Sequence, residues 1–359
     1  YEASPFKNLG MDNPNGSQRY YIGHVDWTGF NGLVEYTGSD QLSAVLQFGT
    51  SSQTYQWEGF YTAAPSTKSR KITVDGGYIK GGANYRMNEN SNIFFNVGQI
   101  MRPPSFDGVF PNADYDFEEA DDITNESFTS FELGYGFISS NFKANINAYH
   151  TVWGDRTLRR STSIDDQGVR IIYDGVEQTH QGIEAEMTWY PSSRLRIRGM
   201  ASIGDWKYSK NFDGDAYFID NNQPAGTTGT LYLDGVKIGD AAQSVLYLGA
   251  DYKLSSKLSM DLDIMSFDNL HGRFGPLDSE FNSANNRGSI KLPSWGTVDL
   301  GATYRFSLLG YDTTARLNIN NLLDEEYLSQ SQTNFHNDGG RTWNGVNVEN
   351  QVYFGKGTT

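Results

Sequence analysis

The side chains best suited to chemistry crowd one stretch of the chain. After Arg102 come Asp107, Asp114, Asp116, Glu118, Glu119, Asp121, Asp122 and Glu126, with no Lys or Arg among them. Carboxylates at this density can hold Ca2+, a hard cation that takes several oxygen ligands. Asp114, Asp116 and Glu118 are then the expected ligands. No Asp-x-Asp-x-Asp-Gly loop is present, so a solvated charged loop explains the same residues. Phe106, Phe110, Tyr115 and Phe117 interleave the carboxylates. Flat rings at a binding mouth stack on sugars, haem or catecholates, and rings in loops also simply pack on one another. Arg156, Arg159 and Arg160 form a basic cluster suited to anionic groups. The solute-binding candidates are Arg102, Phe106, Tyr115, Phe117, Arg156 and Arg159. The five histidines, His24, His150, His180, His271 and His336, show no metal-ligand spacing, and no Gly-x-Ser-x-Gly nucleophile motif occurs. Catalysis is not expected, and no cofactor is required.

The elements that position these groups are strands. From Gln243 to Asp268, Leu246, Leu248, Ala250, Tyr252 and Leu254 share one face, and Ser255 to Lys257 make a turn. Leu258, Met260, Leu262 and Ile264 continue that face, while Asp251, Lys253, Ser259, Asp261 and Asp263 fill the other. Successive strand side chains point to opposite sides, so the hairpin has one apolar wall and one wet wall. The unit recurs around the turns Ile138–Asn141, Pro191–Ser193 and Gly310, with further short turns at Thr37–Asp40, Asn88–Ser91 and Gly355–Thr358. This predicts about seven short turns and about thirteen strands. Long polar loops near 51–70, 102–125, 155–168, 208–242, 269–294 and 323–345 alternate with the short turns. Short turns at one end and long loops at the other describe an antiparallel up-and-down transmembrane β-barrel.

Three features aim the apolar wall at lipid rather than at a dry core. The opposite wall is charged, with Glu184 and Glu186 before one turn and Arg194, Arg196 and Arg198 after it. Aromatic residues gather near the turns, at Tyr135, Phe137, Phe142, Trp189, Tyr190, Tyr252, Tyr304 and Phe306, as in an interfacial girdle. The paired strands are too many for a small soluble barrel. Lipid and lipopolysaccharide are then partners, and the acidic loop could bridge to the latter through divalent ions. A passive porin shares this wall, and a secreted β-rich binding or adhesion module is the soluble alternative. Across the Pro191 turn Glu186 should oppose Arg198. Asp251 should oppose Asp261, which is unfavourable unless water or a cation from outside the wall relieves it.

Composition agrees. The 359 residues carry 43 acidic and 28 basic side chains, a net charge of −15, and no cysteine. The acidic balance argues against nucleic acid, and the missing cysteines exclude disulfides and thiolate zinc sites. No run approaches the roughly 18 apolar residues of a membrane helix, which a β-barrel does not need.

Ile93-Phe94-Phe95-Asn96-Val97-Gly98 followed by Arg102-Pro103-Pro104-Ser105-Phe106-Asp107 resembles a mid-barrel strand and loop of TonB-dependent outer-membrane receptors. Leu317-Asn318-Ile319-Asn320-Asn321-Leu322-Leu323-Asp324-Glu325-Glu326-Tyr327 resembles that family's late motif, and Gly340-Arg341-Thr342 its late strand opening. The resemblance implies a barrel of 22 strands around an N-terminal plug. It implies bacterial outer-membrane uptake of a siderophore, haem, cobalamin, oligosaccharide or peptide, energised through the TonB–ExbB–ExbD complex contacting the plug. Nothing in the chain matches the plug, no signal peptide is visible in a chain that opens with Tyr1, and Gly357-Thr358-Thr359 lacks the usual closing strand. The expectation is therefore a partial barrel, the C-terminal part of a receptor. The late motif reads as architectural: Asn320, Asn321 and Asp324 end a strand by bonding local backbone, and Tyr327 anchors the loop.

Overall fold

Twelve long strands follow one another in a single antiparallel meander, each hydrogen-bonded to the next in chain order. The computed structural model describes residues 21–59, 67–110, 119–120, 123–164, 167–218, 224–225, 229–275 and 278–359. The wall strands are β1 (Tyr21–Tyr36), β2 (Leu42–Gly59), β3 (Ile72–Arg86), β4 (Ser91–Arg102), β5 (Glu126–Ile138) and β6 (Phe142–Ile164). They continue as β7 (Gln167–Ser192), β8 (Leu195–Tyr208), β9 (Ser244–Lys253), β10 (Leu258–Asp268), β11 (Trp295–Leu308) and β12 (Tyr311–Ile319). Three short strands, Thr67–Lys68, Phe212–Phe218 and Gly229–Leu231, join the same sheet off this path. No helix among the described residues is long and apolar enough to cross a membrane.

The register puts the two walls where the alternation expects them. Leu248 pairs with Ile264, Ala250 with Leu262, and Leu262 with Leu300, so the apolar residues line up in rows across β9, β10 and β11. Leu248 is 49% exposed and Leu262 37%, so this row is not a dry centre. Its solvent is lipid. The polar wall is the concave one. Strands two apart in a sheet are roughly 10 Å from each other, yet on this face side chains bridge that gap. Arg198 of β8 reaches Asp263 of β10 at 2.9 Å, Arg316 of β12 reaches Asp261 of β10 at 2.9 Å, and Trp206 of β8 reaches Tyr149 of β6 at 2.8 Å. Such contacts fit a face that curves inward. Near the short turns the outward rings form ring pairs, Phe137 on Phe142 and Tyr304 on Phe306.

The long-loop end differs from the sequence expectation in four places. β2 continues to Gly59 and the β6–β7 hairpin runs on to Ile164 and back from Gln167, so much of 51–70 and 155–168 is strand. Tyr55 and Trp57, and Val169, Ile171 and Tyr173, keep the two-residue alternation beyond the membrane, where polar neighbours disguise it. The stretch 208–242 also contains the strands Phe212–Phe218 and Gly229–Leu231, the first pairing back on β7. Finally, Gly355–Thr358 is not a short turn at the far end. It lies at the long-loop end, where Asn320 N–H bonds Thr359 O at 2.8 Å and Thr359 N–H returns a bond to Asn320 O at 3.2 Å.

The buried apolar clusters all sit at this end. One gathers Val169, Ile171, Tyr173, Val176, Phe212, Leu231, Leu233 and Phe281. A second packs Tyr55, Trp57, Ile72, Val109 and Phe110, and a third Leu270, Ile290, Leu292, Leu328 and Val346.

Candidate functional site

Near the short-turn end of the concave wall lies a belt of charge. Asp251 does face Asp261. The relief comes from the wall itself rather than from outside it. Arg196 Nε donates to Asp251 at 2.9 Å, and Arg198 donates to Asp251 at 3.2 Å and to Asp263 at 2.9 Å. Arg316 makes two bonds of 2.9 Å to Asp261, a bidentate pair that fixes the carboxylate plane. Glycine on the intervening strands makes room for these reaches. A Cβ at Gly249 would sit 2.6 Å from Asp263 Oδ1, and one at Gly301 would sit 2.1 Å from Asp261 Oδ2. The expected Glu186–Arg198 opposition is corrected: Glu186 pairs with Met200 and Thr188 with Arg198. The turn is tighter than three residues, and an extra residue between Trp189 and Ser192 shifts the register.

Above the belt the concave wall turns aromatic and basic. Phe128 of β5 pairs in register with Trp153 of β6, and their rings stack at 5.0 Å. Arg102, at the end of β4, lies over both rings at 5.4 and 5.9 Å and is ion-paired with Glu126. Trp153 Nε1 donates to the same carboxylate at 3.1 Å. Directly after Trp153 the β6–β7 register breaks, and Asp155 takes φ 56°. Aspartate tolerates this left-handed conformation better than most residues, and Ser127 Oγ holds its carboxylate at 2.5 Å. The bulge swings Arg156 back over Trp153, 3.8 Å from the ring centre. A second group adjoins on β6, β7 and β8: Trp206 donates to the Tyr149 hydroxyl at 2.8 Å, and His180 lies 5.7 Å from the Trp206 ring. Cations over aromatic faces inside a curved wall present a surface for planar, anionic solutes.

Of the solute-binding candidates, the structure brings Arg102 and Arg156 together. Phe106 is used in packing, stacked with Tyr21 at 5.8 Å and touching Phe110 at 5.0 Å. Arg159 lies in β6, and its side chain is outside the described residues, as are Tyr115, Phe117, Asp114, Asp116 and Glu118. Glu119 is engaged by Arg70, whose Nε donates at 2.6 and 2.9 Å. Among the described residues no group of three or more metal-ligating side chains forms. Phe128, Tyr149, Trp153 and Trp206 were not singled out from sequence. Their signal was present: they are large rings on the wet side of the alternation, where a lipid role does not explain them.

The late motif clamps the loop end of β12. Asn321 is buried, with φ 49°, and accepts from Glu325 N–H at 2.9 Å. It donates to Glu325 O at 3.0 Å and to Lys356 O at 3.1 Å. Asp324 accepts from Thr358 N–H at 3.0 Å, and Tyr327 stacks on Trp295 at 3.8 Å.

Residues 2–322 match the family model described as TonB dependent receptor-like, beta-barrel. No curated protein sequence matches the chain. Among solved structures, the copper transporter OprC is similar at TM-score 0.58 and 13% identity, with 94% of this chain and 48% of that one covered. The ferric-catecholate import receptor Fiu from K12 E. coli is similar at 0.57 and 13%, covering 94% and 44%. The ferric yersiniabactin uptake receptor FyuA from Yersinia pestis is similar at 0.58 and 11%, covering 94% and 46%. At these identities the likeness is one of fold. The chain spans about half the length of these proteins, or less.

Proposed function

Because the chain belongs to the TonB-dependent receptor family of outer-membrane β-barrels, we propose that it supplies wall and outer entrance for energy-coupled uptake of a scarce solute. The family's solved members are transporters rather than enzymes. In this reading the wall does no chemistry. A plug fills the curved interior, the TonB–ExbB–ExbD complex acts on the plug, and the outer loops select the cargo, with any Ca2+ held in the acidic loop around Asp114, Asp116 and Glu118.

The candidate cargoes are siderophores, haem, cobalamin, oligosaccharides and peptides. The observation that carries a choice among them is the Arg102–Phe128–Trp153–Arg156 group on the concave face. Two guanidinium groups over stacked rings favour a planar anion, because each cation gains both from the ring and from the incoming charge. A ferric catecholate or haem fits this chemistry better than a neutral oligosaccharide. Titrating the complete receptor with a ferric catecholate should quench tryptophan fluorescence, and Arg156→Ala should weaken that binding about tenfold or more. Equal binding of a neutral oligosaccharide, or no change on Arg156→Ala, would remove this choice of cargo.

A further inference from the structure

The convex face carries a cluster of lysines that lies outside the cargo site. Ile183, Ile203 and Ser244 lie in one outward row. Above that row, on the same face, Gln181 pairs with Asp205 and Thr179 with Lys207. Asp205 holds two ammonium groups: Lys207 at 3.0 Å and Lys237, whose backbone bridges Lys207. Asp268, level with Ser244 and Ile203, holds Lys291 at 2.9 Å. Ser289 Oγ donates to Lys237 O at 2.8 Å, and the Lys291 backbone bridges His271, so the segments that carry Lys237 and Lys291 are tied to each other. Asp240 and Arg273 adjoin at 3.8 Å. Four cations and three carboxylates leave a net positive patch on a chain whose total charge is −15.

We propose that Lys207, Lys237 and Lys291 form a binding site for the phosphate groups of an outer-leaflet lipid. The site lies where the apolar band ends and the long loops begin, which is the headgroup level of the outer leaflet. The proposal rests on the chain's place in the outer membrane and not on the cargo reading. Each ammonium has three donors, and its carboxylate occupies one direction only. Asp205 therefore fixes two lysines beside each other while leaving donors for a phosphate. The lysine side chains are between one-third and one-half exposed, so the site is open to a headgroup. A lysine beside a charged lipid surface contributes on the order of 1 kcal/mol, or about fivefold in affinity.

The test uses the complete receptor in detergent, stripped of lipid, and native mass spectrometry with a bis-phosphorylated lipid A or its dephosphorylated form. The phosphorylated lipid should bind and the dephosphorylated form should not. Lys207→Gln, Lys237→Gln and Lys291→Gln should each weaken binding about fivefold, while Lys207→Arg should retain it. Arg102→Ala, on the concave face, should leave lipid binding unchanged, which separates this site from the cargo site. Lys237 and Lys291 lie outside the long strands, so their single variants keep the test alive if Lys207→Gln does not fold. Equal binding of the two lipids, or variants that bind like the parent, would overturn the proposal. Inorganic phosphate that binds as tightly as the lipid would overturn the assignment to a membrane lipid.

Discussion

The wall and the outer cap use the same residue types for opposite ends. In the wall, Ile203 is 61% exposed and Leu248 49%; in the cap, Val169, Leu231, Leu233 and Phe281 are fully buried. The difference is the solvent. A leucine facing hydrocarbon needs no partner, because lipid is as apolar as the side chain. A leucine above the membrane faces water and gains roughly 25 cal/mol for each Å2 it buries. So the wall keeps strict alternation with no core. The cap folds strands and loops back on one another until a core exists. Polar groups follow the same division. The concave belt offsets facing aspartates with arginines from the neighbouring strand and from two strands away, while the cap ties loop to loop through pairs such as Arg70 with Glu119 and Arg287 with Glu280.

If the regions are separate in this sense, damage to one should stay there. The largest effect is expected from Phe281→Ala. Phe281 is fully buried, lies 4.2 Å from Phe274 and supports the cluster around Leu231 and Leu233. Its loss should cost the cap about 3–5 kcal/mol. Hydrogen exchange should speed up in 169–176, 212–218 and 229–236, with protection of β9 to β12 unchanged. Equal loss across the wall would show one cooperative unit and end the comparison. Leu262→Arg should cost about 2–4 kcal/mol when folding is measured in lipid vesicles, because the charge would lie on the lipid face. The cap's exchange should not respond. A neutral result would mean that Leu262 does not face lipid.

The same division explains what the sequence makes legible. Period-two alternation identified the walls, because a membrane strand has only two environments and each enforces its residue type. The Asp251–Asp261 opposition was readable for that reason. Its solution by Arg316 was not, since that partner comes from a strand two places away and relies on Gly301 for space, as Arg198 relies on Gly249 to reach on to Asp263. Glu186 was misplaced because the turn closes between Ser192 and Leu195 rather than over Pro191–Ser193, and the bulge between Trp189 and Ser192 takes back only part of that shift. At the entrance, Arg102 and Arg156 were visible as basic residues near loops. The ring between them, Trp153, was hidden because the Asp155 bulge, not the alternation, brings Arg156 onto it. Phe106 shows the converse: a ring in a polar loop marks packing as readily as binding.

The smallest effect sharpens the cap side of the comparison. Glu280 neighbours Phe281 in sequence and accepts from Arg287 three times, from its backbone N–H at 2.6 Å, Nε at 3.1 Å and Nη2 at 2.8 Å. These bonds hold the carboxyl well below its usual 4.5, at about 2. Arg287 also reaches Asp338 at 2.5 Å, so the pair fastens one loop to another. A carboxyl whose folded pKa is lowered adds stability above its unfolded pKa and loses it as pH falls through the folded value. The fastening should therefore be complete above pH 4.5, weaken below it, and vanish near pH 2. Exchange at 278–290 should show this step while the lipid-facing rows of the wall do not. Glu280→Gln should remove the step, because the amide cannot titrate and no longer offers Arg287 a charge. If Glu280→Gln shows the same acid step as the parent, another group fastens the loop, and the cap's independence would have to rest on its apolar core alone.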